Sequence, residues 1–308
     1  MRFTPITPAD YAHLKSFFAG QKYRHSSYSL SGIVVWNNCA FNNYYAKQDG
    51  YLVVSESHIA NPKARWLLLP VGRQLPPAEL AALVKKAGHD IVRYVPEEYI
   101  AACGQAEAEK FFSVRREPEY DDYVYERAGL ASLKGAKYHK KRNLIAQFER
   151  DAAAAEKVEV LALSPELAGE CGEFVERWYQ YRREKYAFWT DELGCEHNAL
   201  VQTLDNFALT GVEGLAVKIG GRIEGLGIAS RLTDDMAVLN FEKASEEIKG
   251  LYQYLDRECA VRLYAATKYL NKESDLGDEG LRQAKESYYP AFKVASYRLE
   301  LTELHTIP

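Results

Sequence analysis

The sequence lacks any apolar run that approaches the ~20 residues needed to cross a bilayer. Its first residues, MRFTPITPADYAHL, also lack the long apolar region of a signal peptide. The five cysteines are scattered and never form a CxxC pair, which argues for a reducing compartment and against a disulfide framework or a structural zinc site. Together these absences predict a cytoplasmic protein.

Signatures of several enzyme classes are missing as well. The seven histidines show no HxH or HExxH spacing and the cysteines form no cluster, so the sequence predicts no catalytic metal. Neither a GxSxG nucleophile elbow nor a GxxxxGK(S/T) phosphate loop is present. The sequence therefore argues against a serine hydrolase of that type and against a P-loop nucleotide hydrolase.

What the chain contains is typical of a soluble globular protein that is large enough for two domains. Of its 308 residues, 47% are hydrophobic and 27% are charged, with a formal net charge of −4. Twenty-two tyrosines are unusually many. Tyrosines suit a cleft that needs both apolar contact and hydroxyl groups, although we expect most of them to pack half-buried.

A basic stretch, LKGAKYHKKRN at 133–143, interrupts this acidic chain. If it is helical, Lys137, Lys140 and Lys141 share one face at i, i+3, i+4 spacing. Clustered cations attract anions, so this face predicts a site for a phosphate-bearing ligand. The alternative is a solvated face that neutralises the acidic run at 117–126.

The order of predicted elements divides the chain into two units. In the first unit, a helix capped by Thr7 is followed by strands and further helices. The strands are expected at 32–36, 44–47, 51–56, 65–70, 91–95, 111–115 and 122–126, and the helices at 77–87 and 96–110. In the second unit, strands are expected at 157–163, 215–219, 222–230, 236–244, 268–271 and 292–301, with helices from 164, at 196–209, after 250 and at 279–289.

Three strands joined by hairpins and then a strand–helix–strand crossover describe an antiparallel sheet that becomes parallel. This is the element order of the Gcn5-related N-acetyltransferase (GNAT) fold, an α/β (α+β) architecture of mixed sheets flanked by helices. In that fold the crossover helix presents its N-terminal amides to a pyrophosphate.

The loop at 245–250 is the candidate phosphate loop, in which Gly250 permits close backbone approach and Lys249 adds a charge. Glu247 and Tyr252 stand where acetyl-coenzyme A binders have Arg or Gln and a second small residue. The alternative is an ordinary strand-to-helix turn. The corresponding loop of the first unit, at 72–76, has little phosphate-binding character, so we expect a degenerate copy of the fold there.

Three segments, 122–143, 242–259 and 269–290, resemble an uncharacterised bacterial family related to the C-terminal domain of phosphatidylglycerol lysyltransferase. The resemblance implies tandem GNAT-like domains akin to the Fem peptidyltransferases. It implies aminoacyl transfer from aminoacyl-tRNA to an amine or a lipid-head hydroxyl. We expect a degenerate N-terminal domain at 1–130, a basic helical connector at 131–156 and a C-terminal domain at 157–308. The missing membrane helices argue against a lipid acceptor.

Such a transfer needs a carrier site, a base for the acceptor's proton and an acid near the leaving atom. The base candidate is Glu242, near the carboxyl end of its strand; the alternative is a surface carboxylate paired with Lys243 or a nearby cation. The resemblance to the acetyltransferase pattern places a general-acid tyrosine at the end of the helix after the short strand, at Tyr288 or Tyr289, and Tyr288 is the candidate. The carrier and substrate candidates are Lys137, Tyr138, His139, Lys140, Lys141, Arg142, Lys249, Gly250, Asn271 and Asp275.

The sequence thus predicts a soluble acyl- or aminoacyl-transferase. It moves an aminoacyl group from aminoacyl-tRNA, or an acyl group from acyl-coenzyme A, to a small amine or hydroxyl acceptor, and it holds no tightly bound cofactor. The expected partners are tRNA and a small-molecule acceptor. The alternative is a non-catalytic ligand-binding or regulatory module. An enzyme requires Glu242 and Tyr288 to face one cleft with cations at its mouth, whereas a binding module requires only the cleft.

Overall fold

The computed structural model describes residues 1–37, 41–61, 63–155, 157–186 and 191–302. In these residues the chain forms two seven-stranded mixed sheets with helices packed on their faces. The first sheet contains β1 (Thr4–Pro5), β2 (Phe41–Gln48), β3 (Tyr51–His58), β4 (Arg65–Leu67), β5 (Ile91–Pro96), β6 (Phe112–Arg116) and β14 (Ser296–Leu301). The second contains β7 (Asp122–Glu126), β8 (Val158–Ala162), β9 (Val212–Ile219), β10 (Arg222–Arg231), β11 (Met236–Ala244), β12 (Tyr269–Asn271) and β13 (Phe292–Val294).

The α-helices surround these sheets. They are α1 (Tyr11–Leu14), α2 (Leu30–Val35), α3 (Pro77–Ala87), α4 (Glu97–Cys103), α5 (Gln105–Ala108), α6 (Arg127–Ser132), α7 (His139–Ala155), α8 (Ala168–Tyr186), α9 (Asp191–Asp205), α10 (Leu251–Arg262) and α11 (Glu279–Glu286). Short 3-10 turns lie at Pro8–Asp10, Lys15–Phe18, Ser26–Tyr28, Pro118–Tyr120 and Ala136–Tyr138. Most predicted elements are present, because their caps and turns are local signals. Thr7 and Asp10, for example, form a capping box.

The strand predicted at 32–36 is wrong, because this segment is helix α2. Ser29 caps the helix by accepting a hydrogen bond from the Gly32 N–H at 3.3 Å. Its apolar side chains are buried on several sides, and the helix packs against both α9 and β10. A short β-branched run that is buried all round gives the same sequence pattern whether it is a strand or a helix.

The two sheets exchange strands. β7, counted as the last strand of the first unit, lies in the second sheet between β13 and β12. The single strand predicted at 292–301 is broken at Ala295, so that β13 belongs to the second sheet and β14 lies between β5 and β6 in the first. Asp121 accepts the Ser296 N–H at 3.0 Å where the two chain segments cross. The predicted domain boundaries at 130 and 156 stay a prediction, since sheet membership does not follow them.

Each sheet contains one parallel strand pair joined by a helix. In the second sheet, β11 pairs with β12 only from Met236 to Val238 and then continues to Ala244 with β10 alone. In the first sheet, β4 and β5 pair only at Leu67 and Val92. The parallel pair therefore opens into a cleft beyond its few paired residues, and in the second sheet α10, which connects β11 to β12, packs on β9, β10 and β11. This is the mixed α/β arrangement of a tandem GNAT-like fold.

Helix α7, which carries most of the basic stretch, packs on the N-terminus of α10. Gly250 is the N-cap of α10 and has a φ of 86°. A Cβ atom at Gly250 would lie 2.2 Å from the Leu144 carbonyl oxygen and 3.0 Å from the Phe148 Cβ. The glycine that the sequence suggested for phosphate approach thus allows two helices to meet closely.

We expect Gly250→Ala to destabilise the protein strongly. Gly221 is the matched control, because its φ is 83° and a Cβ there would have no neighbour within 4 Å. The strain of a left-handed backbone alone should lower the free energy of unfolding of Gly221→Ala by about 1–2 kcal/mol. The clash with Leu144 should make the decrease for Gly250→Ala at least about twice as large. Urea unfolding of the two variants measures the difference. Equal losses would show that α7 does not approach Gly250 this closely.

Candidate functional site

The candidate site lies in the cleft where β11 leaves β12. Ile228 pairs with Phe241 and Ala229 with Leu239, so Asn240 is the extra residue of a β-bulge in β11. A bulge breaks the ladder locally and redirects a side chain, and bulges are common beside active sites. Here it frees the backbone of Asn240 from the ladder and places its side chain beside the segment that follows β12.

The centre of the cleft is an ion cluster. Lys272 Nζ lies 2.9 Å from Glu242 Oε2 and 2.9 Å from Asp256 Oδ1. The three side chains are 13%, 16% and 3% exposed. Burial alone would lower the pKa of Lys272, but the charges of Asp256 and Glu242 raise it well above its usual value. Lys272 is therefore a fixed cation between two carboxyl groups.

Glu242 titrates near neutrality. Burial, followed by the negative charge of Asp256, raises its pKa to about 7, against the opposing effect of Lys272. A carboxylate with a pKa near the working pH is well matched to accept and return a proton. Glu242 does not pair with Lys243, whose Nζ binds Glu196 Oε1 at 2.7 Å, but it does pair with another nearby cation, Lys272, in a mostly buried position.

Tyr288 and two more lysines complete the cluster. Lys285 on α11 donates to the Lys272 carbonyl oxygen, and burial followed by the charge of Lys272 lowers its pKa to about 8. Lys141 on α7 donates to Ser287 Oγ at 2.8 Å and lies 3.9 Å from the centroid of the Tyr288 ring. Burial, then the charge of Asp256, raises the pKa of Tyr288 far above neutrality, so this phenol stays protonated.

Glu242, Tyr288 and Lys141 thus converge on one cleft, which is the arrangement that an enzyme requires. The rest of the basic stretch is distributed differently. Lys137 belongs to the 3-10 turn that precedes α7, and its Nζ lies 5.0 Å from the ring centroids of both Tyr138 and Tyr289. Lys137 and Lys141 therefore both reach the segment after α11, at Tyr289 and Tyr288, whereas Lys140 is exposed.

Other carrier candidates have identifiable local roles. Tyr138 is buried and donates to the Tyr288 carbonyl oxygen at 3.0 Å. Arg142 donates to the Leu133 and Gly135 carbonyl oxygens at 2.6 and 2.7 Å. His139 contacts Asn143 at 3.0 Å. Lys140 and Lys249 are exposed. The carrier roles of these residues stay predictions.

Asn271 and Asp275 fix the loop after β12. Asn271 Nδ2 donates to Asp122 Oδ2 at 2.8 Å and to the Arg24 carbonyl oxygen at 3.0 Å. Asp275 accepts a hydrogen bond from the Tyr123 hydroxyl at 2.6 Å and pairs with Arg282 at 3.0 Å. Their polar groups are thus engaged within the protein, and their predicted role toward substrate stays a prediction.

Sequence reasoning missed Lys272, Asp256 and Glu273. One signal for Asp256 was present, since it interrupts the apolar side of α10 that carries Leu255 and Cys259. Lys272 and Glu273 follow directly after β12, at the edge where parallel strands open to ligands. Nothing local distinguishes them from ordinary loop charges.

Within the described ranges, no group of three or more His, Cys, Asp or Glu side chains could hold a metal ion. Of the cysteines that the structure describes, Cys103, Cys171 and Cys259 are free. Cys39 lies outside the described residues. No helix in the described part of the chain is both long and apolar enough to cross a membrane.

The fold and the cleft define a GNAT-like domain of the acyltransferase type. The chain belongs to the family of the phosphatidylglycerol lysyltransferase C-terminal domain, whose family model matches residues 18–300.

A conserved protein of unknown function from Bacteroides thetaiotaomicron is 27% identical, with a TM-score of 0.87 over 98% of this chain and 100% of that one. The C-terminal domain of a candidate lysylphosphatidylglycerol synthetase from Agrobacterium fabrum is 11% identical, with a TM-score of 0.62 over 96% and 92% of the two chains. At that identity the second likeness shows the fold alone. The search of curated proteins gives no match.

We expect Lys272→Met to destabilise the protein by about 3–5 kcal/mol, because it leaves two buried carboxyl groups without their cation. Adding Glu242→Gln and Asp256→Asn to the same chain should recover part of this loss. Lys140→Met, at an exposed lysine on α7, is the control and should change stability by less than about 0.5 kcal/mol. Chemical denaturation measures all three. A loss below about 1 kcal/mol at Lys272 would contradict a buried ion cluster.

Proposed function

We propose that this protein transfers an aminoacyl group from the 3′ end of aminoacyl-tRNA to a small amine or hydroxyl acceptor. The family and the fold support acyl transfer in general. The choice of an aminoacyl donor rests on the polar groups of the cleft and on how α7 covers the N-terminus of α10.

The observation that carries the proposal is a carboxylate oxygen in the cleft that could accept a hydrogen bond from a ligand. Asp256 Oδ1 binds Lys272, and the Tyr288 phenol interacts with the same carboxyl group, but the buried Oδ2 atom has no donor of the described residues in full hydrogen-bond geometry. An unpartnered buried carboxylate oxygen is costly unless a ligand supplies an N–H group. The α-ammonium of an aminoacyl ester supplies one, whereas an acetyl group does not.

The covered end of α10 also favours this donor over coenzyme A. A helix N-terminus binds pyrophosphate through exposed N–H groups, but at Gly250 the backbone of Leu144 occupies the adjacent space. In the first unit, Pro76 and Pro77 stand at the start of α3 and remove donors there. Exposed cations near the cleft, such as Lys137 and Lys140, suit the phosphates of an RNA end.

The cluster supplies the groups that the transfer needs. Glu242 takes a proton from the attacking amine or hydroxyl of the acceptor, which forms a new bond to the acyl carbon. The ester bond to the ribose oxygen breaks, and Tyr288 donates its proton to that oxygen. Lys272 stabilises the carboxylate form of Glu242 before the reaction and Asp256 orients the donor's ammonium.

Binding of stable donor mimics tests this proposal. The probes are the lysyl and alanyl amides of 3′-amino-3′-deoxyadenosine, the N-acetylated form of each, and acetyl-coenzyme A. We expect the free-amine probes to bind, N-acetylation to weaken binding at least about tenfold, and Asp256→Asn to weaken it by a similar factor. Isothermal titration calorimetry on the full chain measures each constant.

Glu258→Gln is the matched control variant. Glu258 lies on α10 two residues after Asp256, is buried, and pairs with Arg257 and Arg262. It should bind the probes as the wild type does. Equal binding of the free and N-acetylated probes, or tight binding of acetyl-coenzyme A alone, would contradict an aminoacyl donor. If the probes bind but the protein transfers no aminoacyl group from aminoacyl-tRNA to any amine, the ligand-binding module is favoured.

A further inference from the structure

A second carboxyl group, Glu273, lies at the bulge and has no role in the transfer described above. It follows Lys272 immediately after β12 and has a positive φ of 59°. Its N–H donates to Asn271 Oδ1 at 2.7 Å, which holds this uncommon conformation in place. Its Oε1 atom lies 3.5 Å from Asn240 Nδ2, at the long limit of a hydrogen bond.

The surroundings of Glu273 disfavour its charged form. No cation of the described chain lies within ion-pair distance, 4.0 Å, of its carboxyl group. The charged groups that face it are Asp122 from β7, Lys285 from α11 and Glu196 from α9. Two of these three are acidic, and Lys285 is already bound to the Lys272 carbonyl oxygen. A half-buried carboxyl group beside other carboxylates is more stable with its proton.

Asn240 offers the matching acceptor. It is 9% exposed, and its Oδ1 atom is buried without a hydrogen-bond partner in the described part of the chain. Half a turn of the amide about its last side-chain bond exchanges the positions of Oδ1 and Nδ2 within the same volume. A protonated Glu273 can then donate to Oδ1, which gives that oxygen its partner and places the two N–H bonds of Nδ2 at the buried position without a hydrogen-bond partner that Oδ1 occupied.

We propose that Glu273 is a neutral positioning residue that turns the Asn240 amide so that its N–H groups bind the carbonyl oxygen of the acyl group undergoing transfer. This role rests on the proposed function, since it makes Asn240 the hydrogen-bond donor that stabilises the negative charge on the acyl oxygen while the acceptor attacks. The pKa of Glu273 agrees with it, because burial and then the charge of Asp122 raise the pKa to about 8.

The protonation of Glu273 is tested without any substrate. A carboxyl group whose pKa is about 4.5 unfolded and about 8 folded keeps its proton only in the native state over that interval. Native stability from this group therefore falls as the pH rises from about 5 to 8. Glu273→Gln removes the titration, so its urea midpoint should rise relative to the wild type over the same interval. Glu300→Gln, at an exposed carboxylate on β14, should show a constant difference.

The orientation of Asn240 is tested by transfer kinetics. Loss of one oxyanion donor typically lowers kcat by 10²–10³-fold; Asn240→Ala should do so with little change in KM. Glu273→Gln donates to Oδ1 as the neutral acid does, so it should keep kcat within about threefold and lose the decline of kcat above pH ~8. Glu273→Ala should lose about tenfold or more at all pH values.

The two measurements separate the hypotheses. If the pH dependence of unfolding is the same in the wild type and in Glu273→Gln, Glu273 is charged and the inference is overturned. If that dependence changes as expected but the wild type transfers no aminoacyl group, the proposed function fails while the neutral carboxyl group stands. If both hold but Asn240→Ala keeps its kcat, Asn240 does not bind the acyl oxygen and its assigned role is wrong.

Discussion

The ammonium of Lys272 between Glu242 and Asp256 is the interaction on which the arrangement of the cleft depends. Each of the three groups comes from a different element: β11, α10 and the segment after β12. Without the cation, two carboxyl groups would share a poorly solvated space, and one of them would have to take up a proton or move apart. The same cation keeps Glu242 near its titration midpoint instead of fully protonated. Lys272 therefore supports both the stability of the cleft and the ability of Glu242 to transfer a proton.

Much of the fold was predictable because its signals are local. Thr7 and Asp10 cap the first helix, Gly88 ends α3, and Gly220 and Gly221 turn the hairpin between β9 and β10. The parallel crossover followed from the order of elements. Helix α2 was not predictable in this way, because a short buried β-branched run satisfies two backbone conformations. The exchange of β7 and β14 between the sheets was not predictable either, since pairing between residues about 145 apart (β7 with β12) or about 200 apart (β14 with β5) leaves no pattern in the sequence.

In the site, too, some residues have a signal in the sequence and others are recognised only from their neighbours in the fold. Glu242 and Tyr288 were predicted from a strand position and from a resemblance to the acetyltransferase pattern, and the structure places both beside Lys272. Lys272 and Asp256 were missed, because a charge in a loop or on a helix resembles a solvated one until its neighbours are known. The basic stretch has a mixed outcome: Lys141 reaches the cleft, while α7, the helix that carries Lys141, covers the end of α10. Whether these cations bind a carrier stays a prediction.

The strand exchange has a consequence for the order in which the chain can fold during synthesis. Among the strands of the described residues, β6 pairs only with β14, which is formed by Ser296–Leu301. The ribosome delivers chain from the N-terminus, so β6 emerges long before its neighbour and its edge remains open until almost all of the second sheet has been made. Both sheets are thus completed only late in synthesis. Until then the nascent N-terminal half has an exposed strand edge, and such edges bind chaperones or lead to aggregation.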